Sequence, residues 1–147
     1  MARHERGSLK LTRKGKSYLP EDAVGRLQAE LFRLTFTRYN LAFLDRIGAP
    51  DLFAQQIGLI LYLIGQFCTH WMPADELMRS VTLPIEELRE PQSVRDAAFA
   101  FELRVLRYLC WFGLLERSPP AANDDWRQPN IYRKAQLYDR ALSFALK

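Results

Sequence analysis

Apolar residues recur along most of this chain at spacings of three and four, the period of an α-helix, and only three short stretches read as strands. Val24, Leu27, Leu31 and Leu34 form an apolar face after Glu21 and Asp22, whose charges suit the positive end of a helix dipole. Gly25 weakens that helix by about 1 kcal/mol relative to alanine. The β-branched and aromatic run Thr35 to Thr37 predicts a break, followed by a short helix from Tyr39 to Ile47 that Gly48 closes. Pro50 suits a first helical position. From Asp51 to Cys68, Ile57, Ile60, Leu61, Ile64 and Cys68 share one face, and Leu59, Leu63 and Phe67 fill a second, which predicts a central helix buried on most sides. Prolines open two shorter helices, Ala74 to Ser80 and Ile85 to Glu90. A long helix follows from Ser93 to Phe112. Its least apolar stripe is Asp96, Ala100, Arg104, Arg107 and Trp111, which is expected to face water or a partner. The chain continues with a strand at Leu114 to Arg117, a polar loop from Ser118 to Asn130 and a strand at Ile131 to Lys134. A helix from Leu137 to Leu146 follows, with Leu137, Ala141, Leu142 and Ala145 facing inward.

The opening segment has its own pattern. Met1 to Ser8 is polar and is expected to be mobile, and Leu9-Lys10-Leu11 alternates as a short strand. Thr12 stands where a helix N-cap belongs, since its hydroxyl can accept from a free amide of the first turn. The helix it opens, Arg13 to Leu19, stops at Pro20. Strand-to-helix passages at Leu9–Leu19 and Tyr132–Leu142 echo each other, so the first strand is expected to join the C-terminal hairpin as a third strand.

Helix, strand, loop, strand, helix is the layout of a winged-helix unit. The stretch Leu9–Leu19 (LKLTRKGKSYL) resembles the strand-Thr-x-x-Gly-helix passage that closes many bacterial winged-helix domains. Val105–Arg117 (VLRYLCWFGLLER) is similar to the junction between recognition helix and wing in the same superfamily. In order of elements the chain is also similar to the C-terminal part of a family of uncharacterised bacterial proteins known from plasmids. The resemblance implies a mainly α fold with a small antiparallel β-hairpin or three-stranded sheet, winged-helix-like, and transfers no catalytic residue. The alternative is an all-α bundle with an ordered loop in place of the wing. Residues 1–16 are read as a basic N-terminal arm with a short strand, and residues 17–147 as one helical domain. Three residues depart from the pattern: Ala135 replaces the threonine cap, Tyr138 the glycine, and Lys134 an apolar strand position.

Charge narrows the function. The net charge is +4. Residues 1–16 carry six basic residues against Glu5, a net of +5, and the rest has fifteen basic against sixteen acidic, a net of −1. A domain that reads DNA carries its positive field on the reading surface; here the globular part is near neutral, and Asp124 and Asp125 place negative charge in the wing. Cys68 and Cys110 lie in apolar helical runs, where thiols pack as small hydrophobes, and both are read as reduced, hence a cytoplasmic protein. The first residues show no signal peptide, and the longest apolar run, Ile57 to Ile64, is too short to cross a bilayer.

Candidate chemistry is sparse. There is no nucleophile elbow, phosphate-cradling glycine loop or H-E-x-x-H. The adjacent acids Glu86-Glu87 and Asp124-Asp125 point apart, as neighbours in sequence do. Cys68 and His70 form a C-x-H pair, but a zinc site needs about four ligands and the other cysteine and histidine are Cys110 and His4. No cofactor, metal or small-molecule substrate is therefore assigned. Arg104, Arg107 and Trp111 read in two ways: as a site for phosphates, stacked bases or an acidic partner, or as arginines paired with Asp96 or Glu102 beside a core tryptophan. The basic residues Arg3, Arg6, Lys10, Arg13, Lys14 and Lys16 suit a nucleic-acid backbone or an acidic protein surface. Trp126, in the wing, either anchors a partner or folds over the sheet. These features lead to a non-enzymatic interaction module that binds a protein partner or itself. The alternative is a nucleic-acid-binding domain, transcription-regulator-like, that uses the basic arm, and a fragment of a larger enzyme is the outsider.

Overall fold

The computed structural model describes residues 2–5, 8–43, 53–83, 91–118 and 130–144. The chain divides into two compact units, Met1–Tyr39 and Asn40–Lys147.

The first unit opens with an antiparallel hairpin of β1 (Ala2–Glu5) and β2 (Ser8–Leu11), in which Ala2 faces Leu11 and Arg3 faces Lys10. The expected mobile start is thus a strand from residue 2 to residue 5. Thr12 caps α1 (Arg13–Lys16): its side-chain oxygen accepts from the Gly15 amide at 3.1 Å. A 3₁₀ turn at Glu21–Ala23 leads into α2 (Val24–Thr37). This helix runs through the predicted break. Phe36 is buried with the ring of Phe32, one turn earlier, 4.9 Å away, and the Thr37 hydroxyl donates to the Arg33 carbonyl at 2.6 Å. Ring packing outweighs the weak helix propensity of the segment, and the Thr37 hydroxyl bond satisfies that side chain at the helix end.

The second unit is mainly helical around a small antiparallel sheet, the class the sequence predicts. In chain order it contains α3 (Ile57–Phe67), β3 (Met72–Pro73), α4 (Ala74–Val81), α5 (Pro91–Phe101), α6 (Arg107–Trp111), β4 (Leu115–Ser118), β5 (Ile131–Lys134) and α7 (Leu137–Ala141). A π-helical turn, Glu102–Leu106, joins α5 to α6 without a break. The predicted helix Ile85 to Glu90 lies outside the described residues, and of the segment Tyr39 to Ile47 the described part holds a 3₁₀ turn at Leu41–Phe43.

The core is made by Ile60, Leu61 and Ile64 of α3, Leu77, Met78 and Val81 of α4, and Phe101, Val105, Leu106 and Leu109 of the long helix. Each such side chain stabilises the fold by about 1.5–3 kcal/mol relative to leaving it in water. The second apolar face expected of α3 is less covered, for Leu59 and Phe67 are exposed. Gly113 ends the long helix with φ of 70°. Its amide bonds the Cys110 carbonyl and the Leu114 amide bonds the Leu109 carbonyl, both at 2.9 Å, which is a Schellman closure. The chain is thereby turned into β4.

The sheet has the order β3-β5-β4, with β5 antiparallel to both neighbours. Its third strand is therefore Met72–Pro73 and not the expected Leu9–Leu11, which pairs with β1. The cause lies in Lys134. Its amide donates to the Cys68 carbonyl at 2.8 Å and its Nζ to the Gly65 carbonyl at 2.9 Å, so a cation caps the C-terminal turn of α3 and aligns the chain after that turn with β5. Asp139 accepts from the same Nζ at 2.9 Å.

Tyr138 completes the attachment. Its hydroxyl donates to the Leu61 carbonyl of α3, and its ring lies so close to Gly65 that a Cβ there would stand 3.2 Å from Cε1. Tyr138 is thus the inward residue of α7, whereas the expected Leu137 and Ala141 are exposed and Leu142 is half-buried. The helix stops at Ala141, and Ala145 lies outside the described residues.

Two glycines of one helix should therefore respond in opposite directions. Gly65→Ala is expected to destabilise by about 1 kcal/mol or more, because Tyr138 must shift. Gly58→Ala, with nothing within 4 Å of its added carbon, should stabilise by up to about 1 kcal/mol through helix propensity. Urea unfolding of the two variants checks the contrast, and equal shifts would refute the close approach.

Candidate functional site

The C-terminal half of the long helix and the hairpin β4–β5 enclose a pocket of about 400 Å³. Glu102, Leu103, Arg107, Cys110 and Trp111 line it from the helix, and Arg117 and Tyr132 from the two strands. Arg117 and Tyr132 are cross-strand partners, so both project from the same face of the sheet.

The floor is a hydrogen-bonded cluster. Glu102 Oε1 accepts from the Tyr132 hydroxyl at 2.6 Å and from the Asn130 amide nitrogen. Burial and, next, the Glu102 carboxylate drive the Tyr132 phenol far above its ordinary value of 10. Burial likewise raises the Cys110 thiol, and the nearby Arg117 cation offsets part of that rise. At the mouth the Arg107 guanidinium lies 5.4 Å from the centre of the Trp111 ring, and the Tyr108 ring meets Trp111 edge-on at 4.9 Å.

The π turn explains how this set arises. Its wider i→i+5 bonding places one extra residue in the turn and shifts the faces of the helix beyond it. The stripe expected to lie on the surface is already broken before this turn, at Ala100, and the turn keeps Arg104 on the buried side. Asp96, Arg107 and Trp111 are exposed, but Ala100 and Arg104 are each about 1 % exposed. Arg104 is thereby removed from the contact surface on which it was expected. Trp111 is 66 % exposed, which excludes the core reading for that residue and leaves it at the mouth beside Arg107.

The basic candidates belong to the other unit. Lys10, Arg13 and Lys16 are exposed. Lys14 is tied to Glu30 at 2.7 Å, and Arg33 holds the same carboxylate at 3.0 Å. Hydrogen bonds from Arg33 and Lys14 depress Glu30 to about 2. Arg3 is placed only through its register opposite Lys10, and Arg6 and Trp126 lie outside the described residues. Cys68 is buried, with its thiol pushed up to about 11 by desolvation, and His70 is exposed. Sequence reasoning did not single out Arg117, Tyr132 or Asn130. Arg117 and Tyr132 come together only through the β4–β5 register, and nothing in a linear pattern reveals which strand residue will meet Glu102.

Comparison with protein-family models, curated proteins and solved structures finds no match to this chain. Among the described residues no helix is long and apolar enough to cross a membrane.

Burial raises the phenols of both Tyr132 and Tyr138 above 10. The stability that comes from keeping them neutral is fully present below pH 10 and is lost as pH rises beyond it. Urea midpoints measured between pH 8 and pH 11 should fall for the wild type and fall less for a Tyr132→Phe, Tyr138→Phe variant. An identical alkaline decline in both proteins would contradict the burial of these hydroxyls.

Proposed function

We propose that this chain is a non-enzymatic, winged-helix-like interaction module that binds another protein chain, or a second copy of itself, through the outer side of α6 and the mouth of the adjoining pocket. One observation carries this reading. Trp111 stands 66 % exposed on a helix whose other large apolar residues include four core positions, and Phe99, on the same helix, is 56 % exposed. Tryptophan and arginine are the residue types that most often dominate binding energy at protein interfaces, and Arg107 and Trp111 are here already packed on each other.

Other features support the same conclusion. The order helix, strand, helix, long helix, strand, strand, with the first short strand beside the last, supports the winged-helix-like reading. The titratable pocket groups Cys110 and Tyr132 are held toward their neutral forms, the opposite of an activated nucleophile or base. Both thiols are unpaired, which suits a reducing, cytoplasmic setting.

A second reading keeps one specific observation in its favour. The first unit has nine basic residues against four acidic, a net of +5, while the second has twelve against thirteen, a net of −1. Nucleic-acid contact, if it occurs, belongs to the hairpin unit.

Light scattering over a wide concentration range, with cross-linking in cell extract, tests the first reading. Trp111→Ala should abolish the self-association or partner cross-link while leaving the stability to unfolding within about 1 kcal/mol of wild type. A wild-type protein that stays monomeric and captures nothing would end the proposal. Anisotropy titration with labelled DNA and RNA tests the second. Lys10→Glu with Arg13→Glu should flatten the salt dependence, each lost phosphate contact removing about 0.9 from the log–log slope, and absence of micromolar binding at low salt removes nucleic acid from consideration.

A further inference from the structure

We infer that the pocket beneath Trp111 receives an acidic, extended segment of a partner protein, one apolar side chain entering the cavity and flanking carboxylates meeting Arg107 and Arg117. The inference rests on the protein-binding reading above and names the chemistry of the partner.

Size comes first. A space of about 400 Å³ lies within the range of built ligand sites, about 300–1,000 Å³, and in its mixed polar and apolar lining the half-buried Leu103 and Cys110 and the exposed Trp111 ring offer an apolar side for one side chain. Charge comes next. The lining holds two exposed guanidiniums, Arg107 on the helix and Arg117 on β4, and guanidinium groups take carboxylates in a bidentate fork. Arg107 is stacked over an indole, which holds its planar head at the mouth.

Glu102 decides between kinds of anion. Its Oε1 is occupied by Tyr132 and Asn130, while Oε2 accepts no hydrogen bond among the described residues. That acceptor needs an N–H or O–H donor, which a DNA phosphate backbone does not carry. A peptide supplies what is missing, because each of its non-proline residues carries a backbone N–H. Two donors and one acceptor around a partly apolar cavity are thus the complement of an acidic peptide.

The test uses the whole protein and a fluorescein-labelled peptide of glutamates surrounding one phenylalanine. Wild type should bind it with an affinity that falls as salt rises, and Arg107→Glu and Arg117→Glu should each weaken binding about tenfold or more. Arg140→Glu, an equal change of charge at another exposed position, should leave it within about twofold. Replacing the peptide's phenylalanine with alanine should also weaken binding, and replacing its glutamates with lysines should abolish it. The assignment is overturned if the peptide does not bind, if Arg140→Glu weakens it as much as the pocket variants, or if inorganic phosphate or single-stranded DNA displaces it more effectively than unlabelled peptide. Trp111-dependent association that persists without peptide binding would sink the pocket assignment and leave the interaction module standing. Because both pocket arginines are exposed, the variants should unfold at the wild-type midpoint, so lost binding reports the site itself.

Discussion

The second unit depends on one close approach, that of the Tyr138 ring to the backbone of α3 at Gly65. A Cβ at residue 65 would stand 3.2 Å from this ring and force it to give by a few tenths of an ångström, and with glycine there the Tyr138 hydroxyl reaches the Leu61 carbonyl. Lys134 works beside it, closing the end of the same helix through Gly65 and Cys68. Lys134 and Tyr138 are two of the positions at which the chain departs from the pattern it resembles. They are not defects of that pattern: they bind the last strand and the last helix to α3. Because β5 is the middle strand of the sheet, its position governs where β3 and β4 lie, and so where Arg117 and Tyr132 stand.

The long helix makes the second decisive contribution. The expected surface stripe is already lost at Ala100, one turn after Asp96. The π turn beyond it leaves Arg104 in the interior and presents Glu102, Arg107 and Trp111 to the pocket. The Schellman closure at Gly113 then reverses the chain so that β4 returns Arg117 to the same place. A local irregularity and a tight helix end thus assemble a site whose members come from three elements.

Much of the fold was legible because its signals are local. Thr12 announced a cap, Pro73 preceded a helix, and the strands near residues 115 and 131 stood out as short pieces flanking a polar, proline-bearing loop. What escaped reading is non-local. A two-residue strand at Met72–Pro73 has no periodicity to detect, and its pairing with β5 follows from hydrogen bonds made by Lys134, distant in sequence. The inward side of α7 was misread because Tyr138 counts as half polar until its hydroxyl has a partner. At the site, Arg107 and Trp111 were visible as a cationic and aromatic pair, but Arg104 was not separable from them, since the register shift of a π turn leaves no mark in composition. Arg117 and Tyr132 needed the strand register.

The central strand of the sheet is also the last to be made. Its neighbour β3 precedes it by about sixty residues, and a contact of that span forms late because a long loop must first be closed. During synthesis α3, α4 and the long helix leave the ribosome with a sheet edge and a glycine-marked helix groove still bare, and they stay so until residues 131–138 emerge. Surface of this kind, left uncovered with an unpaired strand edge, is what makes partly folded chains prone to aggregate.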